Sequence, residues 1–228
     1  MRPKSIGIVG GAGPLAGAFL LERILSLSNK VYGCYKDSDF PKIFLISFPF
    51  SEMLNSNKNT IKLRNELKTC LNQLRTNGAD VLAIACNTLH VFLEEEDEID
   101  NLIHIPRLLA KEIPSSETPL VLCTSTSMQF RLHKRFFPCN YPDLSTQGQV
   151  DEMIDQILRG TDRAIILEKL QKLIETQKEK TIILGCTELS LFATSLSIPH
   201  KLIIDPLEIV ALKLLEKSFF EERVTPFC

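Results

Sequence analysis

Two segments of the chain hold a cysteine in nearly the same setting. Ile84-Ala85-Cys86-Asn87-Thr88-Leu89 resembles Leu184-Gly185-Cys186-Thr187-Glu188-Leu189, with the two cysteines 100 positions apart. Each follows a short apolar run that reads as a buried strand and precedes a helical pattern. A thiol at a strand end, ahead of a helix, meets unpaired amides and the positive end of the helix dipole. That setting predicts a lowered thiol pKa and a raised thiolate fraction. The flanking Asn87, Thr88, Thr187 and Glu188 offer donors and acceptors for a small polar ligand. A free cysteine is ordinarily a small buried hydrophobe, and Cys34, Cys70, Cys123, Cys139 and Cys228 are read that way. Two facing thiols suit a particular chemistry: inversion of a stereocentre, in which one group removes a proton from one face and another returns a proton to the opposite face. The two groups must have similar acidity, one ionised and one protonated, and a symmetric pair meets that condition. A hydrolase with a cysteine nucleophile needs only one thiol and a nearby histidine base.

Other motifs carry less. Gly11-Ala12-Gly13 follows an apolar strand, but Gly17 falls one position late for a dinucleotide fingerprint. The next strand ends in Phe48-Pro49-Phe50, with no acidic residue to hold a ribose. The glycines read instead as a tight turn whose amides line a cleft. The Gly-Lys-Ser/Thr of a P-loop is absent. His90, His104, His133 and His200 show no metal-binding spacing, and no metal is expected. His90 lies four residues after Cys86, one helical turn from it.

These groups need a scaffold, and the chain alternates strand and helix patterns almost throughout. Ile6 to Val9 is a strand; Pro14 opens a helix with Leu15, Phe19, Leu20, Ile24 and Leu27 on one face. Ile43 to Phe48 is a strand. Asn59 to Asn77 is a helix with Leu63, Leu67, Leu71 and Leu74 inward and Gly78 as its stop. Val81 to Ala85 is a strand with a short helix after it, and Glu94 to Glu98 reads as a solvated helix end. Leu120 to Cys123 opens a second series, with helical patterns at Thr126–Phe137, Met153–Leu158 and Ile165–Ile174. Strands follow at Thr181–Leu184, ahead of a helix carrying Leu189 and Phe192, and at Leu202–Ile204. Asp205, Pro206 and Glu208 then begin a closing helix. The alternation predicts an α/β fold of two similar, doubly wound parallel-sheet lobes related by pseudo-symmetry. Ligands of such sheets bind at the carboxyl ends of the strands, so the cysteines would face each other across the cleft between the lobes.

Composition narrows the function classes. Lys and Arg number 26 against 28 Asp and Glu, so no basic excess supports nucleic-acid binding. No apolar run reaches the roughly 18 residues of a membrane span. The start, Met1-Arg2-Pro3-Lys4, lacks a signal-peptide core. Seven cysteines without a C-x-x-C pair argue against a disulfide framework. The chain reads as cytoplasmic.

Taken together, Gly7-Ile8-Val9-Gly10-Gly11-Ala12-Gly13-Pro14, Ala85-Cys86-Asn87-Thr88-Leu89-His90, Leu184-Gly185-Cys186-Thr187-Glu188-Leu189 and Ile204-Asp205-Pro206 resemble the aspartate/glutamate racemase family. Glutamate after Cys186-Thr187 is similar to the aspartate racemase branch. The resemblance implies a racemase of two lobes that works without a cofactor, commonly as a homodimer, on a small amino acid. It assigns Cys86 and Cys186 as the two acid/base residues. Asn87, Thr88, Thr187 and Glu188 would line the substrate site, and Thr124 would match a family threonine near the substrate amine. The lobes would comprise 1–108 with 205–228, and 109–204. The expected substrate is aspartate or glutamate. Alternatives are a broad-specificity racemase of neutral polar amino acids, an isomerase or decarboxylase of a small dicarboxylate, and a catalytically silent ligand-binding module. The chain departs from the family where a side-chain carboxylate would be gripped. Aspartate-specific members carry an arginine in the segment matching Phe48–Leu54, which here has no cation. The family lysine before the later glycine is displaced to Arg159, one register off. Arg159, Arg131 and Arg64 are the candidates to replace them.

Overall fold

The computed structural model describes residues 3–51, 60–93 and 101–220. Two parallel sheets organise it. The first has four strands in the order β2 (Ile43–Ser47), β1 (Ile6–Gly10), β3 (Val81–Ile84) and β4 (Leu102–Ile103). The second has three, in the order β5 (Leu120–Val121), β6 (Thr181–Ile183) and β7 (Leu202–Ile204). Each β1 residue from Ile6 to Val9 pairs with both neighbours, Ile6 with Ile43 and with Val81. The second sheet repeats the plan: β5, β6 and β7 answer to β1, β3 and β4. A single parallel bridge from Leu120 to Asn140 stands where β2 would pair.

Strand parity explains the cores. Ile6 and Ile8 of β1, Val81, Ala83 and Ala85, and Val121, Cys123 and Ile183 of the second sheet all enter one shared apolar cluster. The alternate residues Leu82, Ile84 and Cys86 enter a second cluster under helix α2 (Thr60–Thr76), with Leu63, Leu67, Leu71 and Leu74. Ile182, Leu184 and Cys186 enter a third, with helices α5 (Leu144–Leu158) and α6 (Arg163–Glu175). Side chains alternate across a strand, so each sheet buries both faces, as parallel sheets do. The two cysteines therefore share one parity: each lies on the sheet face turned away from the shared core.

Helix α1 (Pro14–Tyr32) starts at Pro14 and stops at Gly33, whose φ of 70° suits a residue without a Cβ. Leu20, Ile24 and Leu27 are buried, but Leu15 is 52% exposed. The inward position one step on is taken by Ala16 and Gly17, where Gly17 lets the helix approach Gly10. The closing helix α7 (Pro206–Phe219) begins as the sequence predicts: the Asp205 carboxylate accepts the Leu207 N–H at 3.0 Å. Glu208 is used differently from a capping box, since Arg23 of α1 donates to it at 2.6 Å. Helix α7 returns to the first sheet, packing on α1, β3, β4 and α3 (Ile105–Leu109).

Three expected helices are shorter. Thr126 to Phe137 breaks into α4 (Ser125–Gln129) and a 3-10 turn at His133–Arg135, because Arg131 takes a left-handed φ of 50°. The segments after the cysteines are 3-10 turns, Thr88–Phe92 and Leu189–Ser195, rather than α-helices. Helix α5 begins earlier than the apolar pattern indicates, because Asp143 caps it through the Thr146 N–H at 2.7 Å. Asn59 and Glu94 to Glu98 lie outside the described residues. Among the described residues no helix is long and apolar enough to cross a membrane.

Gly185 fixes where the second thiol begins. A Cβ there would meet Cys123 Cβ at 3.1 Å and the Leu122 carbonyl at 3.2 Å, with Val121 closer still. Gly185→Ala is expected to destabilise the fold by about 1–3 kcal/mol through overpacking. The midpoint of urea unfolding measures this; an unchanged midpoint would show that the strands yield freely there.

Candidate active site

The ends of β3 and β6 meet. Ala85 continues the first ladder by donating to the Val9 carbonyl at 2.8 Å, and Cys186 continues the second by donating to Leu122 at 3.1 Å. The Thr187 hydroxyl then crosses between the sheets and donates to the Ala85 carbonyl at 3.2 Å. A second crossing joins Thr88 to the start of α4, with Thr88 Oγ1 3.1 Å from both Thr124 Oγ1 and Ser127 Oγ. Thr124 also caps α4, accepting from the Ser127 N–H at 3.2 Å.

Between these crossings lies a cavity of about 170 Å³. Cys86 and Cys186 both line it, with Thr88, Thr124 and Glu188. The turn Gly11-Ala12-Gly13 forms another part of its wall, and Phe50, Ser51, Ile154 and Leu158 complete it. The volume is well below that of a drug-sized pocket and suits a small metabolite. Of the candidate residues, the structure thus brings five into one lining. Thr187 is turned to Ala85 instead. Asn87 is buried, and neither polar atom of its side chain has a partner among the described residues. Ile154 and Leu158 carry no motif. Their helical phase reads as ordinary core, and only the packing of α5 brings them to the cavity.

Glu188 sets the electrostatics. Only 4% exposed, it accepts the Cys186 thiol proton at 2.9 Å through Oε2, while Oε1 has no hydrogen-bond partner among the described residues. Oε1 packs against Gly13, where a Cβ would collide with it, and Gly13 also has a φ of 82°. Burial pushes the Glu188 carboxyl up. The thiols differ from the sequence expectation. Burial first, and then the charge of Glu188, push Cys86 up to about 12. The same causes raise Cys186, with the thiol's own hydrogen bond to Glu188 adding to them. The amides of Thr88 and Leu89 do reach Cys86 and favour its thiolate, as the strand-end setting implies. A single 3-10 turn supplies too little dipole to offset the loss of water.

The cavity chemistry is thus two protonated thiols, a buried carboxylate and several hydroxyls. Among the described residues no group of three His, Cys, Asp or Glu could hold a metal. A family model described as Asp/Glu/hydantoin racemase matches residues 9–214. This chain belongs to that family. Its members are isomerases, and the chain is an enzyme of that class. The broad-specificity amino-acid racemase RacX of Bacillus subtilis is 24% identical over 194 residues, covering 81% of this chain and 86% of that protein. Among solved structures, an aspartate racemase of Picrophilus torridus is 22% identical, covers 94% of each chain and superposes with a TM-score of 0.77. An aspartate racemase homologue from Pyrococcus horikoshii is 23% identical over 94% of this chain and 99% of its own, with a TM-score of 0.70. These likenesses carry the two-lobed fold.

His90 supports the cavity from behind. The Ile105 N–H donates to its Nε2 at 3.3 Å, which leaves the proton on Nδ1 to donate to the Cys86 carbonyl at 2.9 Å. It holds the backbone of Cys86 rather than its thiol. His104 stacks edge-on against it at 4.8 Å. Burial lowers His90 to about 4 and His104 and His133 to about 3, so all three are neutral at pH 7. In the unfolded chain they take protons near pH 6.5, so the native state loses stability as pH falls from 6.5 towards 4. Asp205, pushed up to about 6 by burial, and Glu188 act in the opposite direction, since the native state protonates them first. Three imidazoles act against two carboxyls, and the expected net effect is a loss of stability as pH falls through this range. Denaturant midpoints across pH 7 to 4 check this; a midpoint that holds steady or rises would contradict it.

Proposed function

We propose that this chain is an amino-acid racemase that inverts the α-carbon with Cys86 and Cys186 and no cofactor. The observation that carries the reading is that both cysteines, drawn from equivalent strand ends of the two sheets, line one small cavity. The substrate ammonium would enter beside both thiols and Glu188. A positive charge there favours the thiolate and offsets the burial that now disfavours it. One thiolate takes the α-proton; the opposite thiol donates its proton to the other face of the carbanion. The product leaves with the protonation of the pair reversed. Glu188 would hold the Cys186 proton between turnovers, since the thiol already donates to it.

The α-carboxylate would lie on neutral donors: the glycine-turn amides, Thr88 and Thr124. The unpartnered side chain of Asn87 adds a further donor and acceptor close to Cys86. Thr187 would act by holding the two strand ends together rather than through the ligand. No lysine stands among the described lining residues to form a Schiff base.

Cys86→Ala and Cys186→Ala are each expected to lower racemisation by about 10²–10⁴-fold while leaving the thermal midpoint close to that of the wild type. Racemisation followed by chiral chromatography in deuterated water reads the outcome. Either variant turning over near the wild-type rate would remove the two-thiol assignment. Activity is expected to survive a chelator and hydroxylamine and to be lost on thiol alkylation. Loss to hydroxylamine would point instead to a carbonyl cofactor.

A further inference from the structure

We infer that the substrate of this site carries an uncharged, aliphatic side chain, because the wall left for that side chain is mainly apolar and, among the described residues, holds no cation. The inference rests on the racemase reading above and specifies its substrate.

Every α-amino acid brings the same ammonium and α-carboxylate. The ammonium has one charged partner in the cavity, the buried Glu188 carboxylate. The α-carboxylate has hydroxyls and amides. With those groups assigned, the remaining wall is Phe50, Ser51, Ile154 and Leu158, and Ser51 donates both its N–H and its hydroxyl to the Glu66 carboxylate, at 3.0 and 2.6 Å. Among the described lining residues Glu188 is the one charged group. A side-chain carboxylate would therefore be desolvated against hydrocarbon with no cation and with Glu188 in the same cavity, which is costly. A side-chain ammonium would meet the same hydrocarbon after Glu188 is already paired.

None of the candidate cations Arg159, Arg131 and Arg64 is among the residues lining the cavity. Arg159 is the next residue after Leu158, about 100° further round helix α5 and its cap. That turn points its side chain outwards: it is 75% exposed and paired with Asp155 at 2.6 Å. Arg163 donates to the Leu191 carbonyl and lies over the Phe192 ring, 5.1 Å from its centroid. Arg131 is exposed at the left-handed break after α4. Register thus decides specificity: position 158 looks into the cavity and position 159 looks out.

The test measures kcat/KM for alanine, serine, methionine, aspartate, glutamate and lysine with the intact protein, alongside α-deuterium incorporation from deuterated water. The best neutral substrate is expected to exceed aspartate, glutamate and lysine by about 100-fold or more. Leu158 is 40% exposed and ends its helix, so an arginine there is tolerated by the fold. Leu158→Arg is expected to raise kcat/KM for aspartate at least about tenfold over wild type and to lower that for methionine. Leu158→Gln, of similar length and uncharged, is expected to lower methionine without raising aspartate. Wild-type preference for aspartate, glutamate or lysine would overturn the inference and leave the two-thiol reading intact. A Leu158→Arg variant that folds, as judged by its thermal midpoint, without gaining aspartate turnover would overturn the role of position 158. Failure of every amino acid to exchange its α-proton would instead defeat the racemase reading itself.

Discussion

The hydrogen bond from the Thr187 hydroxyl to the Ala85 carbonyl ties the two sheets of this protein together beside the cavity that both cysteines line. Each partner stands next to a cysteine, so the distance between the thiols is set by a contact one residue away from each. The shared apolar cluster beneath, built from the inward parity of both sheets, keeps those strand ends from sliding apart. The Thr88–Thr124–Ser127 hydroxyl group closes the other side. Two-sided proton transfer demands fixed geometry on both faces of one carbon, and a pair of lobes that shared only a linker would not supply it.

Burial sets the ionisation of the groups around the cavity. The free cavity disfavours every charge it contains: the thiols and Glu188 are all pushed towards their neutral forms. On the proposed reading, a zwitterion that brings its own ammonium would relieve this, so that the groups would ionise when the ligand is present to use them. The same dry environment strengthens each hydrogen bond to developing charge. Glycine at position 13 is part of the arrangement, because Glu188 occupies the space a side chain would fill. The neutral His90 behind Cys86 extends the design: it fixes the backbone without adding charge.

Much of this was legible in the sequence, because it depends on local pattern. Strand parity, the leucine repeat of α2, the Asp205-Pro206 start and the doubled strand-cysteine motif are one-dimensional signals, and the sheets, their order of elements and the pairing of Cys86 with Cys186 follow from them. Local pattern fails where burial or a distant neighbour decides. The thiols sit at strand ends with amides aimed at them, as read, yet desolvation raises their pKa, and burial depth is not written in six residues. Leu15 fits the helical stripe of α1 but faces out, because close packing of Gly17 on Gly10 rotates the helix's contact face. Thr126 to Phe137 has helical periodicity, and the backbone of Arg131 breaks it. The apolar wall of Ile154 and Leu158, and the outward turn of Arg159, come from how α5 lies against the cavity. The sequence by itself determined which groups could do the chemistry and that they come as a pair. The tertiary structure alone decided their ionisation and the charge of the wall they face, since both depend on which atoms replace water around a side chain.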